Sequence, residues 1–210
     1  MSEPPPTVAQ ERELDRVGAF SDGVFAIAIT LLVLNIEVPD VPGADLGRAI
    51  RDLSDDFVAY GIGFAVMGLF WYEHHRLFSR LTHNSFRLVV VNTVLLASIA
   101  LMPFTTAVLG RYDEPLAVAL YAVNVAAAIV LSRLVTLVAL DEGLLSDVHG
   151  EAETARQRRI VLVGIVAQAG VFLVSIAIAY GISESLAKWF WLVLIPIGRL
   201  EGRAERNGVR

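Results

Sequence analysis

The sequence predicts an all-α, polytopic membrane protein with six transmembrane helices and both termini in the cytoplasm. Three observations carry that expectation. Apolar residues make up 55% of the 210 residues and fall in long blocks rather than in periodic stripes. Six of those blocks approach or meet the ~20 residues a helix needs to cross a bilayer core of about 30 Å. Lys and Arg, finally, crowd into alternate connections along the chain.

In chain order, residues 1–14, with Pro4-Pro5-Pro6, read as a disordered cytoplasmic leader. Residues 15–198 hold the six helices, and residues 199–210 form a cytoplasmic tail. The first helix is expected over Val17–Val38, stopped by Pro39 and Pro42-Gly43. The second spans Phe57–Tyr72, with Trp71 and Tyr72 at a headgroup boundary. The third spans Leu88–Leu109 and stops at Gly110. The fourth spans Pro115–Leu137, with Pro115 suited to a first helical turn. A cytoplasmic loop of Asp141–Arg159 follows. The fifth spans Ile160–Tyr180, ended by Gly181, and the short sixth spans Leu186–Ile197, with Trp189 and Trp191 near one interface.

Helices follow because lipid offers the backbone no hydrogen-bond partners. Strands of a membrane barrel would alternate apolar and polar residues, and Phe57–Phe70 do not. A cleaved signal peptide is not expected: the segment before the first block, Glu11-Arg12-Glu13-Leu14-Asp15-Arg16, mixes charges, and no small-residue cleavage pattern follows Leu34.

Orientation follows from the cations. Of seventeen Lys and Arg, only Arg48, Arg51, Arg111 and Lys188 fall on one side of a six-helix chain. The other thirteen share a side with both termini, which places the termini inside. The connection after the first helix is acidic, with Glu37, Asp40, Asp45, Asp52, Asp55 and Asp56 against Arg48 and Arg51. Such a loop either enriches cations at a pore mouth or is simply solvated.

Several functions are excluded. There are no cysteines for disulfides or thiol chemistry, and a net charge of −5 argues against nucleic acid. No nucleophile triad, P-loop or dinucleotide motif is present, so no enzyme and no cofactor is expected. His74-His75 does not make a metal site, since neighbours on a helix point ~100° apart and no carboxylate cluster joins them. Arg133 reads as a side chain snorkelling to headgroups.

The unusual segment is Arg16-Val17-Gly18-Ala19-Phe20-Ser21-Asp22, which opens the most apolar helix. A charged residue at Asp22 either pairs inside the bundle, or marks an ion path, or faces the positive end of its helix. At ~3.6 residues per turn, Ile27, Leu31 and Leu34 share a face with Thr30 at its edge. The helix is apolar all round, so periodicity alone does not choose which face matters.

The run Arg16-x-x-x-Phe20-Ser21-Asp22, followed by Gly23 through Leu34, resembles the first-helix signature of the transmembrane protein 175 family of potassium channels. The resemblance continues in Trp71-Tyr72-Glu73-His74-His75-Arg76-x-Phe78 and in Asn92 through Pro103-Phe104, and spans about residues 12–198. It implies a homotetramer in the plasma membrane whose first helices surround a pore passing K+, with lipid around it. The family lacks the carbonyl filter of ordinary potassium channels. Hydrophobic side chains form its narrowest ring, which falls here on Ile27. A threonine implicated in selectivity falls on Thr30, and Leu31 and Leu34 extend the constriction. Arg16, Phe20, Ser21 and Asp22 would be structural, tying the helix to polar groups such as His74, His75 and Asn92. The alternative is a cation- or proton-coupled secondary transporter. That class shows internal repeats and broken helices, and helices one, three and five do not visibly repeat each other.

Overall fold

A computed structural model describes residues 7–148, 150–183, 186–187 and 190–191. The described residues are helical almost throughout, as the sequence predicts. An isolated antiparallel bridge between Leu81 and Leu145 is the sole strand-like pairing among them.

Helix α1 runs Val8–Leu31 and tightens into a 3-10 turn over Leu32–Asn35. It starts well before Val17, so residues 8–14 are helix and not the disordered leader expected. The reason is a capping box: Thr7 Oγ1 accepts from the Gln10 amide, and Gln10 Oε1 accepts from the Thr7 amide. The short helix α2, Leu46–Asp52, follows a 3-10 turn at Gly43–Asp45 within the acidic connection. Helix α3 runs Ser54–Phe78, α4 Phe86–Arg111, α5 Pro115–Asp141 and α6 Glu151–Gly181.

Among the described residues, four stretches are long and apolar enough to cross a membrane: Val8–Asn35, Phe86–Arg111, Pro115–Asp141 and Glu151–Gly181. The segments Gly43–Asp52 and Asp56–Phe78, joined at a 48° bend, add a fifth if the bent pair is one span. The expected sixth helix, Leu186–Ile197, lies outside the described residues except at 186, 187, 190 and 191. Of these, Ala187 is buried, and Trp191 rests against the rings of Tyr121 at 5.0 Å and Phe172 at 5.5 Å.

Local chemistry sets the ends. Ser85 caps α4 by accepting from the Leu88 amide at 3.1 Å, and Pro115 occupies the first turn of α5. Gly143, with φ +66°, turns the chain out of α5 in a left-handed conformation that a side chain would resist. The α5–α6 loop is far shorter than expected, because α6 begins at Glu151 and not near Ile160. Residues 151–159 are charged but good helix formers, and Glu151 and Glu153 suit the positive end of the helix.

The helices pack side by side. Helix α5 lies along both α4 and α6, while α1 lies against α3 and α4. Among the described residues α1 touches neither α5 nor α6, so it sits at an edge of the subunit. The loops that join α3 to α4 and α5 to α6 are clasped together. Arg80 Nε donates to Asp147 at 3.0 and 3.1 Å, and the amides of Thr82 and Ser146 bond across to Leu144 and Arg80 carbonyls.

Candidate functional site

Helix α1 has two unlike faces. Ser21, Phe25, Ala28 and Leu32 are buried against α3 and α4, with Phe25 at 1% and Leu32 at 0% exposure. On the far side, Ile27 at 62% and Leu34 at 72% stand uncovered, with Leu31 and Thr30 between them. The four predicted pathway residues thus share one stripe that no described element covers. The Thr30 hydroxyl donates to the Ile27 carbonyl at 2.8 Å. Its proton is committed to the backbone, so the oxygen lone pairs are free to face outwards.

The buried face carries the polar anchor. Ser21 Oγ donates to the Val17 carbonyl at 2.9 Å and accepts from Asn92 Nδ2 at 3.0 Å. Asn92 Oδ1 lies 2.9 Å from His74 Nε2, so the ring donates from that nitrogen. The His74 ring stacks on Phe78 at 4.1 Å and tilts against Phe25 at 5.5 Å. One chain of hydrogen bonds therefore ties α1, α4 and α3 together behind the uncovered stripe. Ser21 Oγ, both amide atoms of Asn92 and His74 Nε2 each have a partner, as buried polar groups in a membrane require.

The motif residues divide between the faces. Ser21 meets Asn92, and through it His74, as the sequence led one to expect. Asp22 Oδ1 accepts instead from Trp71 Nε1 at 2.9 Å. Sequence reasoning placed Trp71 only as a headgroup anchor, although an indole N–H one turn before His75 is an available donor. His75 forms no bond to the motif and stacks on Trp71 at 5.5 Å. Arg16 and Phe20 are not brought to neighbouring helices: both are exposed on the uncovered side, and Arg16 reaches no partner among the described residues. Their spacing from Ser21 and Asp22 turns them away from the subunit body.

The C-terminal end of α1 is pinned separately. Asn35 Nδ2 donates to the Pro103 carbonyl at 3.1 Å, beside a proline that lacks an amide for the α4 ladder. Gly63 of α3 lets the chains close here, since a methyl there would stand 3.2 Å from Thr106 Cγ2. A cavity of about 430 Å³ opens beside it, lined by Leu34, Asn35, Glu37, Asp56, Tyr60 and Arg111 among others. Arg111 pairs with Glu37 at 3.2 Å, which neutralises part of the acidic connection. Among the described residues no cluster of three or more His, Asp or Glu could hold a metal.

Comparison with known proteins gives these features a context. Residues 16–103 match the family described as endosomal/lysosomal potassium channel TMEM175. A potassium channel of Streptomyces collinus is 32% identical over 203 residues, covering 91% of this chain and 98% of that one. The chain belongs to the TMEM175 family. A potassium channel of Chamaesiphon minutus is 34% identical over 182 residues, covering 81% and 86% of the two chains. The crystal structure of a lysosomal potassium-selective channel TMEM175 homolog from Chamaesiphon minutus superposes with a TM-score of 0.72 at 30% identity, covering 90% and 97%. The family is one of ion channels, not enzymes. Its matched segment runs from Arg16 to Pro103, which takes in the uncovered stripe, the Ser21–Asn92–His74 chain and the Asp22–Trp71 bond.

Proposed function

We propose that four copies of this chain form a potassium channel in the plasma membrane, with the uncovered stripe of α1 lining the axis. The observation that carries this reading is an apolar stripe of Ile27, Leu31 and Leu34, with one hydroxyl at Thr30, on a helix at the subunit's edge. A membrane-spanning face interrupted by a hydroxyl and backed by a hydrogen-bonded polar anchor suits a pathway better than a lipid contact. The names of the two bacterial relatives support K+ as the permeant ion.

In this reading the Ile27 side chains form the narrowest ring. An apolar ring opposes ion passage by shedding water, and conducts when it widens or wets. The Thr30 oxygens, their protons held by backbone carbonyls, act as ligands for a partly dehydrated cation. Four hydroxyls replace fewer water dipoles than a carbonyl filter, so selectivity is modest. Ser21 and Asp22 keep the stripe turned to the axis by fixing the opposite face. Both termini lie in the cytoplasm, following the cation bias of the sequence, and lipid covers exposed apolar residues of α6 such as Val163, Val166 and Leu173. No cofactor is required.

The test is recording from purified protein in planar bilayers under opposed K+ and Na+ gradients. Unitary currents reversing towards the K+ potential are expected. Steady flux without unitary events would make the chain a transporter instead. Tags at both termini should be protected in intact cells, and a tag near Gly43 should be accessible.

A further inference from the structure

The uncovered stripe does not end at the membrane. Followed back from Ile27 at three- and four-residue steps it passes Gly23, Phe20, Arg16 and Glu13, all of them exposed. The packed stripe, Phe25, Ser21, Gly18 and Leu14, keeps pace on the other side, each residue buried or half-buried. The first turns of α1 therefore project from the packed body while holding the same orientation.

That projection is charged on nearly every residue: Glu11, Arg12, Glu13, Asp15 and Arg16, all exposed. Among the described residues none of these side chains is hydrogen-bonded or ion-paired. Within one copy the arrangement is poor. Glu11 and Asp15 are four residues apart, as are Arg12 and Arg16, and like charges at that spacing repel. Arg12–Asp15 and Glu13–Arg16 have the spacing to pair but do not.

The angles point to a partner. At ~100° per residue, Glu13 lies about 50° to one side of the mean direction of Ile27, Thr30 and Leu31, the stripe residues within the α-helical stretch. By the same count Arg12 lies about 50° to the other side, and Arg16 within about 10°. In a fourfold ring the direction to the axis bisects the directions to the two neighbours, each about 45° away. Glu13 of one copy then faces Arg12 of the next, offset along the helix by only ~1.5 Å. This contact is heterologous and closes on itself.

We infer that Glu13 and Arg12 form a closed ring of ion pairs between neighbouring copies at the inner mouth, with Arg16 turned to the axis. The inference rests on the fourfold channel reading above. A second copy of this chain is the occupant that the charges favour. Anionic headgroups fit poorly, because the segment carries three carboxylates to two guanidiniums.

The natural absence of cysteine makes the test direct. The full-length double variant Arg12→Cys/Glu13→Cys is oxidised in membranes and run on a non-reducing gel. Disulfides form only where Cα atoms approach within about 7 Å, so dimer, trimer and tetramer bands that collapse on reduction are expected. The control Gln10→Cys/Glu11→Cys, turned away from the axis, should stay monomeric. Glu13→Arg should lower tetramer yield most at low salt, and adding Arg12→Glu should restore it. No ladder from protein that sizes as a tetramer and carries K+ current overturns the ring and leaves the channel reading intact. An equal ladder from the control pair does the same. Protein with neither tetramer nor current defeats both.

Discussion

Replacing Asn92 with leucine removes the centre of the polar anchor while keeping the branched shape of the side chain. The side chain is 1% exposed and holds two bonds, at 3.0 Å to Ser21 and 2.9 Å to His74. Ser21 keeps its bond to the Val17 carbonyl and loses only a donor. His74, 3% exposed, is left with an orphaned N–H, which costs ~1–3 kcal/mol. The Ser21 contact adds about 0.6 kcal/mol, a typical value for polar pairs between membrane helices. Together these give ~2–3 kcal/mol, or roughly 30- to 150-fold in the unfolding equilibrium. The assay is reversible unfolding in mixed micelles, followed by tryptophan fluorescence. Adding His74→Phe to Asn92→Leu removes the orphan, so the double variant should lie at least ~1 kcal/mol above the sum of the singles. Additive losses, or an Asn92→Leu protein as stable as the parent, would refute a connected anchor.

Other outcomes follow from the same packing. Asp22→Ala and Trp71→Phe delete the same 2.9 Å bond, so both should lower tetramer yield on a sizing column without changing ion preference. An Asp22→Ala protein that assembles fully but loses its preference for K+ would instead put Asp22 in the pathway. Gly63→Val should destabilise by ~1–3 kcal/mol, because its Cβ meets Thr106 at 3.2 Å and Leu32 at 3.5 Å. Gly170→Ala, where an added methyl meets nothing within 4 Å, should show no such loss in the same unfolding assay.

Much of this was legible in the sequence, for identifiable reasons. Hydropathy marks the membrane-buried part of α3, α4 and α5 because every residue there must be apolar or satisfied, and the predicted cores of these helices agree with the observed ones. It is blind to helix continuing into water. The early start of α1 at Val8 and of α6 at Glu151 rest on a capping box and on charged helix formers, neither of which changes the apolar count. The short helix α2 was hidden in the acidic connection for the same reason. Within the anchor, Asn92 and His74 came only from the family resemblance, as partners for the motif. Trp71 did not, because an indole serves equally well as an interfacial anchor. The exposure of Arg16 and Phe20 depends on which face of α1 the other helices take. An all-apolar helix leaves that choice to tertiary packing.

The central claim is that the uncovered stripe of α1 lines the ion path, and substitutions on its two faces test it most directly. Ile27→Asn keeps a similar size and holds water at the narrowest ring, Thr30→Ala removes the hydroxyl ligand, and Phe25→Ala empties a site that is 1% exposed on the packed face. Reversal potential and open probability are measured for all three in planar bilayers. Ile27→Asn should raise basal current and weaken discrimination among cations, and Thr30→Ala should stay closed at rest but lose preference for K+ over Na+. Phe25→Ala should lose ~3–5 kcal/mol of stability and keep the parent's ion preference. If Ile27→Asn conducts like the parent while Phe25→Ala alters selectivity, the path runs along the other face and the account fails.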